Sequence, residues 1–280
     1  MKDLEGVTTA LVTPFWQGQI DKDSFVRLLQ SQMAAGITSF VLGGTTGESP
    51  TLTQQELETL FRLAREVGGN RISITMGIGS NSTAITIERA KWAEKLGADS
   101  LLVVVPYYNK PPQRGLFQHF MAVAEATQLP IILYNVPSRT VTSLALETIV
   151  ELSKHPRIVA IKEASGNIEF GEKIVKQCQE RLILLSGDDE SAHKLRAVGS
   201  RGVISVASHV LPKPFLGGYQ DQKMSLIQAL YVETNPIPVK MALYLMGVVR
   251  SPECRLPLVQ ASEETKRLLR TELEKEGLIP

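Results

Sequence analysis

The 280-residue sequence predicts an α/β fold, a closed (β/α)8 barrel of the TIM type with a C-terminal helical extension. Three observations support this prediction. Eight short apolar runs rich in Val and Ile recur along the chain, and amphipathic segments separate them. The turns after the first two runs lack the glycine signatures of open nucleotide-binding sheets. We therefore expect a functional site at the carboxyl ends of the strands, where the βα loops of such a barrel gather.

The predicted strands are mostly continuous apolar runs, which is typical of parallel strands covered on both faces. In chain order they are Gly6–Phe15, Ser39–Gly44, Arg71–Gly79, Ser100–Tyr107, Pro130–Pro137, Ile158–Ala164, Leu182–Asp189 and Gly202–Ser208. The first is followed by "VTPFWQGQ", which has no GxGxxG, and the second by "GGTTGES", which has no GK[ST]. An open dinucleotide-binding sheet and a P-loop fold are thus disfavoured.

The segments between the strands have helical periodicity and recognisable ends. Asp21 or Asp23 can cap the first helix, and Gly36 can end it. Thr53 followed by Glu56 forms a capping-box pattern at the start of the second helix. These signals predict a helix in each early βα unit.

The segment after the eighth strand departs from this pattern. Four helix-breaking residues interrupt it: Pro212, Pro214, Gly217 and Gly218. Only residues from about Gln220 to Tyr231 could be helical, which is roughly three turns at 3.6 residues each. We expect the eighth outer helix to be missing or shortened. The predicted division is a barrel over residues 1–210 and a shortened eighth-helix segment with C-terminal helices over residues 211–280.

The charge balance excludes two classes of partner. Lys and Arg number 30 and Asp and Glu 29, giving a formal charge of +1, which argues against a nucleic-acid or membrane-surface partner.

Two cysteines without a CxxC pattern, Cys178 and Cys254, are typical of reduced cytoplasmic thiols. The first residues do not resemble a signal peptide, and no run is long enough to span a membrane. The four histidines lack metal-ligand spacing, so we expect no metal.

A lysine in the middle of the sixth apolar run is the most informative residue. Strand alternation would place Lys162 on one face with Ile158, Ala160 and Ala164. Desolvation there would favour the neutral amine, which is a nucleophile that forms Schiff bases with carbonyl carbon. The alternative is a snorkelling or edge-strand lysine. Because a closed barrel has no edge strand, the position favours a functional role.

Polar residues at other strand ends could complete a site for a small carboxylate. Tyr134 near the end of the fifth run needs a hydrogen-bond partner if buried, although packing alone is an alternative. Thr45 and Thr46 lie in a glycine-flanked loop that suits a small carboxylate, or they are turn residues only. Arg139 offers a bidentate grip on a second carboxylate, or it pairs on the surface. Three acidic residues are expected to be structural or helix-capping: Glu163, Asp188 and Asp189.

Seven motifs in chain order resemble the dihydrodipicolinate synthase family of the N-acetylneuraminate lyase superfamily. They are "GGTTGES", "PYYNKP", "ILYNVPSRT", "IVAIKEASGN", "LLSGDDESA", "GVISVAS" and "NPIPVK". The resemblance runs from the early strands to the C-terminal helices. It implies a lyase that condenses pyruvate with L-aspartate 4-semialdehyde by Schiff-base chemistry without a cofactor, in diaminopimelate and lysine biosynthesis.

The resemblance also implies a role for each matching residue. Lys162 would form the Schiff base, and Tyr134 would act as general acid and base. Protons would pass from Tyr134 through Thr45 to Tyr108, which reaches in from a neighbouring subunit in this family. A homo-oligomer, either a tetramer or a dimer, is therefore expected.

Four further positions would bind substrate. Thr46 and the backbone around Ile204 would hold the pyruvate carboxylate. Arg139 would position the entry of the second substrate, and Gly187 would contribute to substrate binding. Two alternatives stay open: a lyase or aldolase for sialic acid or keto-deoxy sugar acids, and a catalytically silent barrel. Arg139 and the tyrosine pair of "PYYNKP" favour the synthase.

The resemblance finally bears on regulation by lysine. Ser49, Asn81 and Tyr107 match the effector pocket of lysine-inhibited members. Leu57 and Ile85 stand where those members tend to have His and Glu. Without a carboxylate at position 85 a cationic effector loses its ion partner, so we predict weak or no feedback by lysine.

Overall fold

The computed structural model describes residues 4–218 and 224–280 and contains a closed barrel of eight parallel strands. The strands are β1 (Gly6–Ala10), β2 (Phe15–Trp16), β3 (Gln19–Ile20), β4 (Ser39–Leu42), β5 (Ser73–Gly77), β6 (Ser100–Val104), β7 (Ile131–Asn135), β8 (Ile158–Glu163), β9 (Ile183–Ser186) and β10 (Gly202–Ser205). Around the barrel the order is β1-β4-β5-β6-β7-β8-β9-β10, and β2 with β3 forms a small antiparallel hairpin. The predicted (β/α)8 fold is confirmed.

Helices alternate with the barrel strands and continue beyond them. They are α1 (Lys22–Ala34), α2 (Gln54–Gly68), α3 (Thr83–Leu96), α4 (Gln113–Glu125), α5 (Pro137–Thr140), α6 (Leu146–Leu152), α7 (Ile168–Cys178), α8 (Ala192–Ala197), α9 (Pro212–Leu216), α10 (Met224–Ala229), α11 (Ile237–Leu245) and α12 (Glu263–Lys275). Asp21 caps α1 by accepting from the Ser24 amide, and Thr53 with Glu56 forms the complete predicted capping box of α2.

The described chain divides into two compact units. The first consists of residues 4–6 and 74–204. Within it β6, β7, β8 and β9 pair side by side in parallel, and α3, α4, α6 and α7 pack against one another in sequence. Every residue of β7 is buried, as the continuous apolar run predicted.

The second unit consists of residues 7–73, 205–218 and 224–280. In it β1 pairs with β4, α1 packs on α2, and α12 packs on both α10 and α11. A buried histidine belongs to this unit. His209 Nδ1 donates to the Val206 carbonyl at 2.8 Å, and its Nε2 accepts from the Val12 amide at 3.2 Å. Both ring nitrogens are thereby satisfied, which fixes the neutral tautomer.

The segment after β10 corrects part of the sequence prediction. Residues 212–216 form the short helix α9 although they contain two prolines. Pro212 and Pro214 are tolerated because they lie in the first turn, where amide hydrogens have no intrahelical acceptor. The predicted helix from Gln220 to Tyr231 is described only as α10, which ends at Ala229, and Gln220 lies outside the described residues. Between β10 and α11 the described residues thus contain the helical segments α9 and α10.

Neither described stretch of chain contains a helix with both the length and the apolarity needed to cross a bilayer. The predicted domain boundary at residue 210 stays a prediction.

Candidate active site

Lys162 lies next to Tyr134 on neighbouring strands of the first unit. The register of β7 and β8 pairs the two residues directly, and the Lys162 Nζ atom lies 4.3 Å from the centroid of the Tyr134 ring. Each residue is only 6% exposed. None of the ion pairs in the described ranges includes Lys162. Lys162 is thus a buried amine that makes no ion pair with the described residues, an arrangement that leaves its nitrogen available to a carbonyl carbon.

The alternation predicted for this strand holds only in part. The pairing of β7 with β8 shifts register after Ile158, so that Ile132 lies opposite Ala160. The extra residue, Val159, is a bulge that breaks strict alternation. Lys162 therefore shares its face with Ala160 but not regularly with Ile158.

Gly187, at the end of β9, packs directly on the lysine side chain. A Cβ atom at this position would lie 2.8 Å from both Cγ and Cε of Lys162. Its amide donates to the Glu163 carbonyl at 2.7 Å. Glycine is needed here because any larger residue would displace the lysine stem.

The residues that follow Tyr134 and Lys162 form a buried polar contact. The Asn135 Nδ2 atom donates to Glu163 Oε2 at 2.7 Å, and the Ser165 amide donates to Glu163 Oε1 at 2.6 Å. Burial raises the pKa of the Glu163 carboxyl, while the hydrogen bonds from Ser165 and Asn135 lower it. Glu163 is structural in this sense, as predicted.

Three other predicted residues of the first unit lie near strand ends. Tyr108 is 87% exposed and has a left-handed backbone at φ 73°, so its side chain projects from its loop. Arg139 is exposed on α5, directly after β7. Ile204 is buried in β10. The Asp188 carboxylate accepts from the Ser191 amide at 2.9 Å in the turn before α8 and does not cap that helix, whose N-cap residue is Ser191.

Thr45 and Thr46 belong to the turn after β4 in the second unit. Thr45 is half-buried and Thr46 is buried. The Asn235 Nδ2 atom donates to Thr46 Oγ1 at 3.1 Å, and Thr13 donates to the Gly47 carbonyl at 2.8 Å. Asn235 was not predicted as a partner of Thr46, although it lies in the motif "NPIPVK".

A second buried lysine lies in this unit and was not predicted. Lys240 Nζ donates to Glu48 Oε1 at 2.5 Å, and the two side chains are 1% and 0% exposed. The Arg255 amide donates to Glu48 Oε2 at 2.9 Å. Burial lowers the pKa of Lys240, and the Glu48 charge opposes that shift. Burial also raises the pKa of the neighbouring Cys254 thiol to about 11, so this cysteine is unreactive near neutral pH.

The structure thus brings Lys162, Tyr134 and Gly187 together within one unit, while the threonine turn is built in the other. Within residues 4–218 and 224–280 no group of three or more His, Cys, Asp and Glu side chains could hold a metal ion.

Comparisons with known proteins agree with this geometry. The model of the dihydrodipicolinate synthetase family matches residues 3–276. A 4-hydroxy-tetrahydrodipicolinate synthase from Bdellovibrio bacteriovorus is 49% identical over 293 aligned positions that cover 100% of both chains. The crystal structure of dihydrodipicolinate synthase from Thermotoga maritima superimposes with a TM-score of 0.95 at 42% identity, covering 98% of this chain and 99% of that one. The chloride-inhibited enzyme from Acinetobacter baumannii, solved with pyruvate, gives 0.94 at 39% identity, covering 99% and 100%.

Proposed function

This chain belongs to the dihydrodipicolinate synthetase family, and from that premise we propose that it condenses pyruvate with L-aspartate 4-semialdehyde. The product is 4-hydroxy-tetrahydrodipicolinate, on the route to diaminopimelate and lysine. The observation that carries the proposal is the buried Lys162 amine, which lies 4.3 Å from the Tyr134 ring and has no carboxylate partner in the described ranges. Relatives named 4-hydroxy-tetrahydrodipicolinate synthase align with 98–100% of this chain, which supports this substrate pair.

The Lys162 amine adds to the carbonyl carbon of pyruvate, and water leaves to form an imine. Loss of a methyl proton gives an enamine, whose carbon bonds to the aldehyde carbon of the second substrate. The amino group of that substrate then adds to the imine carbon and displaces Lys162. Tyr134 gives and takes the protons of these steps, and such acid–base help is worth ~10²–10⁴ in rate.

Substrate binding is assigned to the four residues that the family resemblance implies. Thr46 and the backbone around Ile204 hold the pyruvate carboxylate, and Arg139 grips the carboxylate of the second substrate. Gly187 leaves room for the lysine stem and the substrate bound to it.

Tyr108 suits a role in a neighbouring copy of the chain. Its 87% exposure and strained backbone present the phenol away from its own unit. A homo-oligomer, a tetramer or a dimer, is therefore part of the proposal, with Thr45 and Tyr108 relaying protons from Tyr134. One solved relative is a monomeric variant, so the state in solution needs measurement.

A cytoplasmic location follows from the reaction and from the two free cysteines, since disulfides are rare in that compartment. Feedback inhibition by lysine is weak, because Leu57 and Ile85 supply neither a carboxylate nor an imidazole to a cationic effector. Half-inhibition by submillimolar lysine would contradict this part of the proposal.

Borohydride trapping tests the proposed function. The protein is incubated with pyruvate and sodium borohydride, and the modified residue is located by peptide mapping. We expect a covalent increment on Lys162 and none in Lys162→Ala. An unmodified, folded protein would support a catalytically silent barrel instead. Supplying aspartate semialdehyde, N-acetylneuraminate or keto-deoxy sugar acids to the active protein then identifies the substrate, and turnover of a sugar acid alone would favour the alternative lyase.

A further inference from the structure

The pairing of β7 with β8 puts two functional residues and two buried polar residues side by side. Tyr134 lies opposite Lys162, and the next pair is Asn135 opposite Glu163. Because side chains alternate along a strand, the second pair lies on the other face of the sheet. Asn135 and Glu163 are 0% and 3% exposed, and they lie on the face opposite to the Tyr134–Lys162 pair.

Each polar atom of this second pair is used. Glu163 accepts through both oxygens, from Asn135 at 2.7 Å and from the Ser165 amide at 2.6 Å. The Asn135 Oδ1 atom accepts from the Leu144 amide at 3.0 Å and from Ser143 Oγ at 3.3 Å. The two side chains thus connect the ends of both strands to the segment that follows α5.

Backbone bonds at the same residues extend the connection to the third strand. The Ala164 amide donates to the Asn135 carbonyl at 2.9 Å, and the Gly187 amide donates to the Glu163 carbonyl at 2.7 Å. Gly187 is the residue whose Cα packs on the Lys162 stem. A shift of Glu163 would therefore affect the Lys162 side chain in two ways. It would move the β8 backbone that carries Lys162, and it would move Gly187 of the neighbouring strand, which packs on that side chain.

We propose that the Asn135–Glu163 hydrogen bond is a positioning device that holds the Tyr134 ring against Lys162 Nζ. The inference rests on the proposed roles of Tyr134 and Lys162. No cation pairs with Glu163 in the described ranges, so its carboxylate serves as a double acceptor. A neutral residue arranged to accept the same bonds can replace it.

A reciprocal exchange tests the proposal. In Glu163→Gln an amide faces the Asn135 amide, and in Asn135→Asp a carboxylate faces the Glu163 carboxylate. Combining them restores every bond, since Gln at 163 donates to Asp at 135 and still accepts from Ser165. We expect each single variant to lower kcat about 10- to 100-fold with less than about threefold change in the pyruvate KM, because small misplacements of reacting groups act on the chemical step.

The double variant is expected to recover kcat to within about fivefold of the starting protein. Glu169→Gln is the matched control, because Glu169 is an exposed carboxylate of the same unit that pairs with Lys173, and it should leave kcat unchanged. Circular dichroism and the unfolding midpoint are measured for all variants.

Three outcomes would overturn the inference: unchanged kcat in both single variants, a folded double variant as slow as Glu163→Gln, or loss of folding in both singles. The last would make the pair a stability element. If Lys162→Ala still traps pyruvate, the proposed function fails instead, whatever the exchange shows.

Discussion

Each compact unit contains a buried lysine whose amine lies over an aromatic ring, but only the lysine of the second unit also pairs with a carboxylate. Lys162 is 6% exposed and lies 4.3 Å from the Tyr134 ring centroid. Lys240 is 1% exposed and lies 4.4 Å from the Phe15 ring centroid. Lys240 forms a 2.5 Å ion pair with Glu48, whereas none of the ion pairs in the described ranges involves Lys162.

This difference distinguishes a structural role for Lys240 from the proposed chemical role of Lys162. A buried lysine that pairs with a carboxylate stabilises a particular arrangement of the chain. A buried lysine whose amine makes no ion pair has that amine available to a carbonyl carbon. The absence of an ion partner among the described residues, more than burial itself, supports the proposed reactive role of Lys162.

Substitution by Met should lower activity at Lys162 and stability at Lys240. The loss of activity in Lys162→Met is the largest expected effect. We expect kcat/KM to fall more than ~10³-fold, because the covalent nucleophile is lost. Urea unfolding should change by no more than about 1 kcal/mol, since no ion partner is left behind. Steady-state assay with both substrates and denaturation curves measure the two effects, and a large stability loss without a loss of rate would break the comparison.

Lys240→Met should act mainly on stability. Removing one member of a buried pair leaves an uncompensated carboxylate, which costs about 3–5 kcal/mol. The double variant Glu48→Gln/Lys240→Met should recover most of that loss. Lys173→Met, which breaks the exposed Glu169–Lys173 pair, is the control and should change stability by less than about 1 kcal/mol. Equal losses at Lys240 and Lys173 would contradict the buried-pair interpretation.

The pH dependence extends the comparison to a buried histidine. Burial lowers the pKa of His209 from 6.5 to about 4. Between these two pH values the histidine is protonated in the unfolded chain and neutral in the folded chain. Stability is therefore full above pH 6.5 and is lost as pH falls from 6.5 towards 4, by on the order of 3 kcal/mol. His119, with its pKa also lowered to about 4 by burial, adds to the same window.

Urea unfolding measured at intervals between pH 7 and pH 4 should show this decline. A His209→Gln variant, if folded, should show a shallower decline because one titrating group is gone. Flat stability across the window would mean that His209 is accessible to protons in the folded chain.

The smallest effect is expected at Val141, a non-glycine residue with a left-handed backbone, and Glu48, which also has a positive φ, is its contrast. Glu48 has φ 56° and is held by its ion pair, whereas Val141 has φ 59° and is 70% exposed. Val141→Gly relieves a β-branched residue in a disfavoured conformation, but glycine adds unfolded-chain entropy, so we expect a gain of up to about 1 kcal/mol. Glu48→Gly should destabilise instead, because it removes the carboxylate. Thermal unfolding of both variants measures the contrast, and destabilisation by Val141→Gly would argue against stored strain.

Much of the fold could be predicted because its signals are local. Continuous apolar runs fixed the positions of the eight barrel strands, and the capping box at Thr53 and Glu56 located the start of α2. The α9 helix was missed because two prolines were counted as breakers without regard to their place in the first turn. The bulge at Val159 was missed because it depends on pairing with β7, which no single strand encodes.

The residues proposed for the site also had local signals in the sequence. A lysine inside an apolar run stands out in sequence, and so do the motifs that carry Tyr134, Thr46 and Arg139. The Asn235 contact to Thr46 and the Lys240–Glu48 pair were not predicted, since their members are 189 and 192 positions apart. The local composition of α11 does not predict which distant carboxylate pairs with Lys240.

The sequence by itself determined the strand and helix order and the place of a lysine inside an apolar strand, because hydrophobic periodicity and capping act over a few residues. The tertiary structure decided which buried lysine has a carboxylate and which has only an aromatic ring. It also decided that Asn135 and Glu163 meet next to the Tyr134–Lys162 pair. Charges and hydrogen bonds between distant segments depend on strand register and chain closure, and those are set only when the whole barrel assembles.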